Sequence, residues 1–132
     1  MADGSARIEF VWGDGKQVFR LPYKQIAELE DKVDAGIEEL YNRIRLGKQR
    51  VEDIRQTIRL GLIGGGMEAE KAYTLVERYV DQRPQLVNKG PALAILGAAL
   101  VGADDGSGDD GGDAAKKAEG ESEKPVAPPS GS

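Results

Sequence analysis

Near residue 103 the sequence changes in kind, and this change sets the size of any domain that the chain can form. Residues 103–132 read ADDGSGDDGGDAAKKAEGESEKPVAPPSGS, with no aromatic residue and with Val126 as the only β-branched one. A segment of this composition buries too little apolar surface to offset the entropy that it would lose on ordering. We therefore predict a disordered, acidic Gly/Asp/Pro-rich tail over 103–132 and one folded domain over 1–102.

The net charge of the chain is confined to this tail. The tail holds eight acidic residues and three lysines, which accounts for the whole formal net charge of -5 and leaves residues 1–102 neutral. A protein that binds nucleic acid presents a basic patch or stripe to the phosphates, and the sequence shows none. We therefore expect no nucleic acid among the partners.

The chain has no histidine and no cysteine. It therefore lacks the commonest general base, the thiolate nucleophile and the commonest ligands of zinc. We expect a protein that is not an enzyme and that uses no metal and no cofactor.

Two further absences bear on location. The first ten residues, MADGSARIEF, contain no apolar run of the kind that a secretory signal has. The longest apolar stretch, residues 92–101, would span about 15 Å as a helix, which is about half the core of a bilayer. We expect a cytoplasmic protein that does not bind a membrane.

The first structured element is a β-hairpin. Residues Arg7 to Trp12 alternate between polar and apolar, Gly13-Asp14-Gly15 follows, and a second short apolar segment runs from Lys16 to Leu21. Two such segments around an Asp-Gly turn are a strong hairpin signal. A lone hairpin is marginal in water, so its apolar face must pack against the rest of the domain.

Five later segments either carry apolar residues at helical spacing or are apolar nearly throughout. Glycine or proline separates each from the next. The predicted helices are Pro22–Val33, Ile37–Ile44, Val51–Leu62, Met67–Gln82 and Pro91–Val101. The fold class is α+β and mainly α: an N-terminal hairpin, a bundle of four to five short helices, and the tail.

The charged residues of these helices fit a solvated face better than an active site, because acids and bases are interleaved. On the first helix the acids are Glu28, Glu30, Asp31 and Asp34. On the third helix the residues assigned to solvent are Arg50, Glu52, Asp53, Arg55 and Arg59. None of them is predicted to be catalytic.

Two short runs need an explanation of their own. The glycines at 64–66 lack the Gly-Lys-Ser/Thr ending of a phosphate loop, and Glu68 would repel phosphate, so we interpret them as a flexible break between helices. The acids between Asp104 and Asp113 lack the alternating spacing and the closing Glu of an EF-hand loop. Neither run is predicted to bind a ligand.

The last helix is the one element for which a binding role competes with a core role. It is apolar nearly all round, so it must be buried in the domain or in a partner. Completion of the core is the favoured interpretation, and the two roles are compatible. The residues predicted to contact a partner are Leu93, Leu96 and Leu100, with Phe10 and Trp12 on the hairpin as a second patch. On this hypothesis Leu96→Asp abolishes co-purification with the partner and leaves helicity largely intact.

The order of these elements resembles a known family. A charged strand, a Gly-Asp-Gly turn, a second strand and then LPYKQIAELED resemble the small tail proteins of gene transfer agents and long-tailed phages, in which that helix ends in Leu-Glu, here Leu29-Glu30. VEDIRQTIRLGLIGGG over 51–66 is similar to an Asp-Ile helix of that family that closes on glycines, and PALAILGAALVG fits its final helix. The resemblance covers about residues 6–102.

The resemblance implies a function that the residues alone do not. The family is labelled as a tail tube protein and grouped with the tail-assembly chaperones, which bind the tape-measure protein before the tube forms around it. It implies a tape-measure or other tail protein as partner, self-association as a further option, and a cytoplasmic location in a bacterial or infected host cell. The alternative is a structural component that is retained in the virion.

Overall fold

The computed structural model describes residues 6–102, and the predicted tail at 103–132 lies outside these residues. The first two elements are the strands β1 (Arg7–Trp12) and β2 (Gly15–Arg20) of one antiparallel sheet. The α-helices are α1 (Tyr23–Val33), α2 (Ile37–Arg45), α3 (Val51–Gly64), α4 (Ala69–Val76) and α5 (Lys89–Val101). A π-helical turn, Glu77–Asp81, and a 3-10 helix, Gln85–Asn88, connect α4 to α5. The predicted hairpin followed by a bundle of short helices is confirmed.

The hairpin packs through one face. Ile8 lies opposite Phe19, and Trp12 lies opposite Gly15 on the other side of the two-residue turn. The ring of Phe19 is buried, stacks on Phe10 with 4.6 Å between centroids, and meets the indole of Trp12 edge-on at 6.1 Å. Because this face lies on the helices, the hairpin is stabilised by the domain as the sequence requires.

The helices complete a single core. Helix α3 is its centre, since it contacts both the hairpin and each of the other four helices. The side chains that are fully buried include Phe19, Leu21, Leu29, Leu40, Ile44, Ile58, Leu60, Leu62, Val76, Ile95 and Leu96. None of the helices within 6–102 has the length and apolar character needed to span a bilayer.

Each predicted helix differs from the structure by one or two residues at one end, and the fourth also ends earlier as an α-helix. The fourth begins at Ala69 rather than Met67 and changes to π-helical geometry at Glu77. The fifth begins at Lys89, two residues before Pro91. Proline is tolerated there because the N–H groups of the first turn have no intrahelical partner.

The glycines at 64–66 end α3, but two of them also let the helix approach β2. A Cβ atom on Gly64 would overlap the carbonyl oxygen of Arg20, and one on Gly65 would overlap the carbonyl oxygen of Val18. Neither glycine has a positive φ, so close packing and not backbone conformation requires them. Gly64 and Gly65 are therefore close-packing positions and not the flexible break that the sequence suggested.

Candidate interaction surfaces

Helix α5 is largely a core element. Its buried residues are Ala92, Ile95, Leu96 and Ala98, and the helix packs between α2 and α3. Leu96 has no exposed surface, whereas Leu93 and Leu100 are half-buried. Leu96→Asp would place a carboxylate in the core, so we now expect that variant to unfold and not to report on binding.

The end of α5 forms an apolar groove with α2, which we call the α2–α5 groove. Its lining residues are Glu38, Tyr41, Asn42, Leu100 and Val101. Val101 is 86% exposed although its side chain is wholly apolar. Of the three leucines predicted to contact a partner, Leu100 is the one that this groove exposes.

A second groove, which we call the hairpin groove, lies between the tip of the hairpin and the π-helical turn. Its lining residues are Val11, Trp12, Gly13, Tyr79, Arg83, Val87, Asn88 and Pro91. Val11 is 76% exposed and Val87 is 59% exposed. Trp12, predicted to contact a partner, is only 6% exposed and forms the floor of the groove, while Phe10 is half-buried against Phe19.

Asn88 holds the floor of the hairpin groove in place. The indole N–H of Trp12 donates to its Oδ1 at 2.7 Å, and its own Nδ2 donates to the carbonyl oxygen of Tyr79 at 2.8 Å. Tyr79 packs edge-on against Trp12, and the guanidinium of Arg83 lies 5.2 Å from its ring centroid. These contacts fix the shape of the groove. No local pattern in the sequence indicates this role of Asn88, because its partners lie 76 and 9 residues away.

A buried ion pair joins three helices. Asp53 is 1% exposed, which corrects its predicted place on the solvent face of α3. Its carboxylate accepts hydrogen bonds of 2.8 Å from both Nε and Nη2 of Arg43 and one of 2.7 Å from the N–H of Arg50. Nη2 of Arg43 also donates to the carbonyl oxygen of Val33, the last residue of α1.

This ion pair is structural. The hydrogen bond to Asp53 raises the pKa of the Arg43 guanidinium above its usual value. Two parallel hydrogen bonds between the guanidinium and the carboxylate hold α2 against α3, and the bond to Val33 adds the end of α1. The third position of a helix favours an acid that bonds back to the N-cap N–H, and this is the one local signal that could have indicated a capping role for Asp53.

Within residues 6–102 the two grooves offer apolar surface to solvent. No group of three or more acids within 6–102 could hold a metal ion. Both grooves expose aliphatic side chains, and their linings also include Glu38 and Asn42 in the α2–α5 groove and Arg83 in the hairpin groove. Aliphatic side chains that are exposed in this way can be covered by an apolar face of another protein.

Comparison with known proteins identifies the family. The family model described as "Phage tail tube protein, GTA-gp10" matches residues 5–102. The chain belongs to this family. The GTA-gp10 family is a family of phage tail proteins, as the resemblance implied. No curated protein and no solved structure matches the chain.

The motifs that carry the resemblance to GTA-gp10 proteins lie where the helices and the hairpin contact one another. Leu29 is fully buried, and Oε2 of Glu30 accepts a hydrogen bond of 3.0 Å from the N–H of Ile37, the first residue of α2. Asp53 forms the ion pair with Arg43, and Ile54 is buried beside it. Gly64 and Gly65 allow the backbone of β2 to pack closely against α3. In this chain these motif residues hold the fold together, and motif residues also line both grooves: Leu100 and Val101 in the α2–α5 groove, and Trp12 and Gly13 in the hairpin groove.

Proposed function

We propose that this GTA-gp10 protein is a tail-assembly chaperone that binds the tape-measure protein through its apolar helical surfaces while the tail is built. Membership of a phage tail family is the observation that carries the proposal. The two apolar grooves give it a physical basis, because each leaves aliphatic side chains exposed to solvent in the free domain.

The client fits these grooves by its chemistry. A tape-measure protein is a long chain with apolar helical faces, and such faces aggregate when they are left in water. An amphipathic helix binds a shallow apolar groove through residues spaced three and four apart. The α2–α5 groove offers Tyr41, Leu100 and Val101 to such a helix, with Glu38 and Asn42 at its rim.

The size of the grooves sets the strength of binding. Burying one exposed aliphatic side chain contributes at most about 1.5–3 kcal/mol. Much of the sum is offset by the entropy that two molecules lose when they associate. Binding is therefore weak for each copy, several copies cover one client, and the tube protein displaces them when it polymerises. We place this activity in the cytoplasm of the bacterial or infected host cell.

A second candidate is a structural component that stays in the finished tail. The words "tail tube protein" in the family description favour it. Against it, residues 6–102 contain one two-stranded hairpin, which offers few strands for a continuous tube of paired sheets. The two candidates differ in whether the chain remains in the mature particle.

The experiment that tests the binding surface is co-expression with the tape-measure protein, followed by purification on a tag carried by that protein. Val101→Lys puts a charge into the α2–α5 groove, and its positive charge is compatible with the partial negative charge at the C-terminal end of α5. Val11→Glu alters the hairpin groove and faces Lys16 across the strands. The control is Tyr23→Glu, since Tyr23 is 85% exposed and lines neither groove.

We expect the wild-type chain and Tyr23→Glu to co-purify with the client and to keep it in the soluble fraction. Each groove variant should lower the recovered amount several-fold, and the pair together should abolish recovery. If Tyr23→Glu alone lost recovery, the binding surface would lie outside the two grooves. Failure of the wild-type chain to bind would refute the proposed function.

A further inference from the structure

The two outer edges of the hairpin are not equivalent. The outer edge of β2 lies against α3, since the carbonyl oxygens of Val18 and Arg20 meet Gly65 and Gly64 so closely that no Cβ would fit between them. The backbone of β1 lies close to β2 and α5, its Trp12 side chain reaches Tyr79 and Asn88 on the buried face, and no described strand other than β2 pairs with it. Its outer edge is therefore open, and an open edge is a template for another strand.

The register shows which backbone groups this edge presents. Residues opposite each other in an antiparallel sheet alternate between pairs that exchange hydrogen bonds and pairs that do not. The carbonyl oxygens of Val18 and Arg20 point at α3 and therefore away from β1. The pairs Glu9–Val18 and Arg7–Arg20 are thus pairs that exchange no backbone hydrogen bonds. Arg7 and Glu9 thus direct their N–H and C=O groups away from β2, along the open edge.

The side chains at this edge carry opposite charges. Arg7 and Glu9 are both exposed, and within residues 6–102 neither forms an ion pair. Edge strands often carry charges that prevent pairing, but charges of alternating sign prevent it only in some registers. An antiparallel pair of β1 strands centred on Ile8 sets each Arg7 opposite a Glu9. A pair centred on Glu9 would set two carboxylates face to face, which is unfavourable.

We propose that the open edge of β1 binds β1 of a second copy of this chain, with Arg7 opposite Glu9 of the second copy and Ile8 opposite Ile8 of the second copy. In this register the residues whose backbone N–H and C=O groups point along the open edge lie opposite each other. The two strands therefore exchange backbone hydrogen bonds at both Arg7–Glu9 pairs. The two hairpins become one four-stranded sheet, which is more stable than either two-stranded sheet.

This assembly closes at two copies. The same edge is used on both chains, and α3 covers the other edge of each hairpin, so no strand is left to extend the sheet. The dimer goes beyond the proposed function and does not depend on it, because it forms without a client and uses neither Tyr41 nor Val101.

The test is sedimentation velocity of the purified full chain over a range of concentrations, with no tail protein present. The wild-type chain should show a dimer that accumulates with concentration. Arg7→Glu and Glu9→Arg should each weaken the dimer about 30-fold, or about 2 kcal/mol, since each turns two attractive pairs into repulsive ones. The double variant carrying Arg7→Glu and Glu9→Arg restores both pairs and should dimerise like the wild type.

The control is Asp31→Arg, which changes the net charge as Glu9→Arg does at an exposed position of α1. It should leave the dimer unchanged, and the emission of the single tryptophan should show that the hairpin is intact in every variant. A monomer at every concentration would overturn the proposal. So would a dimer that tolerates either single reversal, or one that the double variant does not restore.

Discussion

Replacing Gly64 with alanine should destabilise the domain, although alanine is the better helix former by about 1 kcal/mol. The added Cβ would overlap the carbonyl oxygen of Arg20 and would lie 2.7 Å from Cδ of Pro22. Neither obstacle can rotate away, since one is backbone and the other belongs to a ring. Helix α3 would have to retreat from β2 by roughly 1 Å to regain ordinary van der Waals separation.

The retreat would loosen the packing of Phe19, which has no exposed surface beneath α3. Overpacking of this kind costs about 1–3 kcal/mol, and the backbone obstacle puts this site at the upper end of that range. After the gain in helix propensity, we expect a net loss of about 2 kcal/mol. For a domain of about 100 residues this lowers Tm by about 10 °C.

The assay is urea and thermal unfolding followed by circular dichroism, with Gly97→Ala as the matched control. Gly97 lies inside α5, and a Cβ there would meet only Cε1 of Tyr41, at an ordinary 3.9 Å. Gly97→Ala should therefore stabilise the domain by up to about 1 kcal/mol. If Gly64→Ala stabilises the domain to the same extent, the close approach of α3 to β2 is refuted. The result would then support the interpretation of residues 64–66 as a flexible break.

Two further predictions concern buried polar contacts. Asp53→Ala leaves the guanidinium of Arg43 uncompensated and should cost about 3–5 kcal/mol in urea unfolding, whereas replacing both residues with apolar ones should recover most of that loss; a cost below 1 kcal/mol for Asp53→Ala would contradict the burial of the pair. Asn88→Ala leaves the indole N–H of Trp12 without its acceptor and should cost about 2–3 kcal/mol with a change in tryptophan emission. Asn42→Ala loses only two exposed hydrogen bonds from Arg45 and should stay within about 0.5 kcal/mol.

The hairpin and the order of the helices could be predicted because their signals are local. The Gly13-Asp14-Gly15 turn fixes the register of the two strands, and glycine or proline separates the helices that follow. Each of these signals acts over a few residues, so neighbouring sequence is enough to show it.

The burial of Asp53 could not be predicted in the same way. Its partner Arg43 lies on the preceding helix, and the sequence around Asp53 is the charged sequence of a solvated face. The close packing of Gly64 likewise depends on a strand more than forty residues earlier. The change to π-helical geometry at Glu77 has no signal that we can find in the sequence.

The predicted contact residues show a related difficulty. Apolar residues of a core and of a binding surface obey the same spacing, so the sequence groups Leu96 with Leu100 although only Leu100 is partly exposed. Exposure separates them, and exposure depends on where α2 and α3 lie. Three exposed residues were not predicted to contact a partner. Val11, Val87 and Val101 are single aliphatic side chains at, or one residue before, the end of an element.

The fate of the chain during assembly tests the chaperone account most directly. Quantitative mass spectrometry would compare two samples from one culture: complexes captured on the tape-measure protein before tubes form, and purified mature particles. The account predicts many copies of this chain per tape-measure protein in the first sample and almost none in the second. Abundant, stoichiometric peptides from this chain in mature tails would contradict it and would assign the protein to the tail itself.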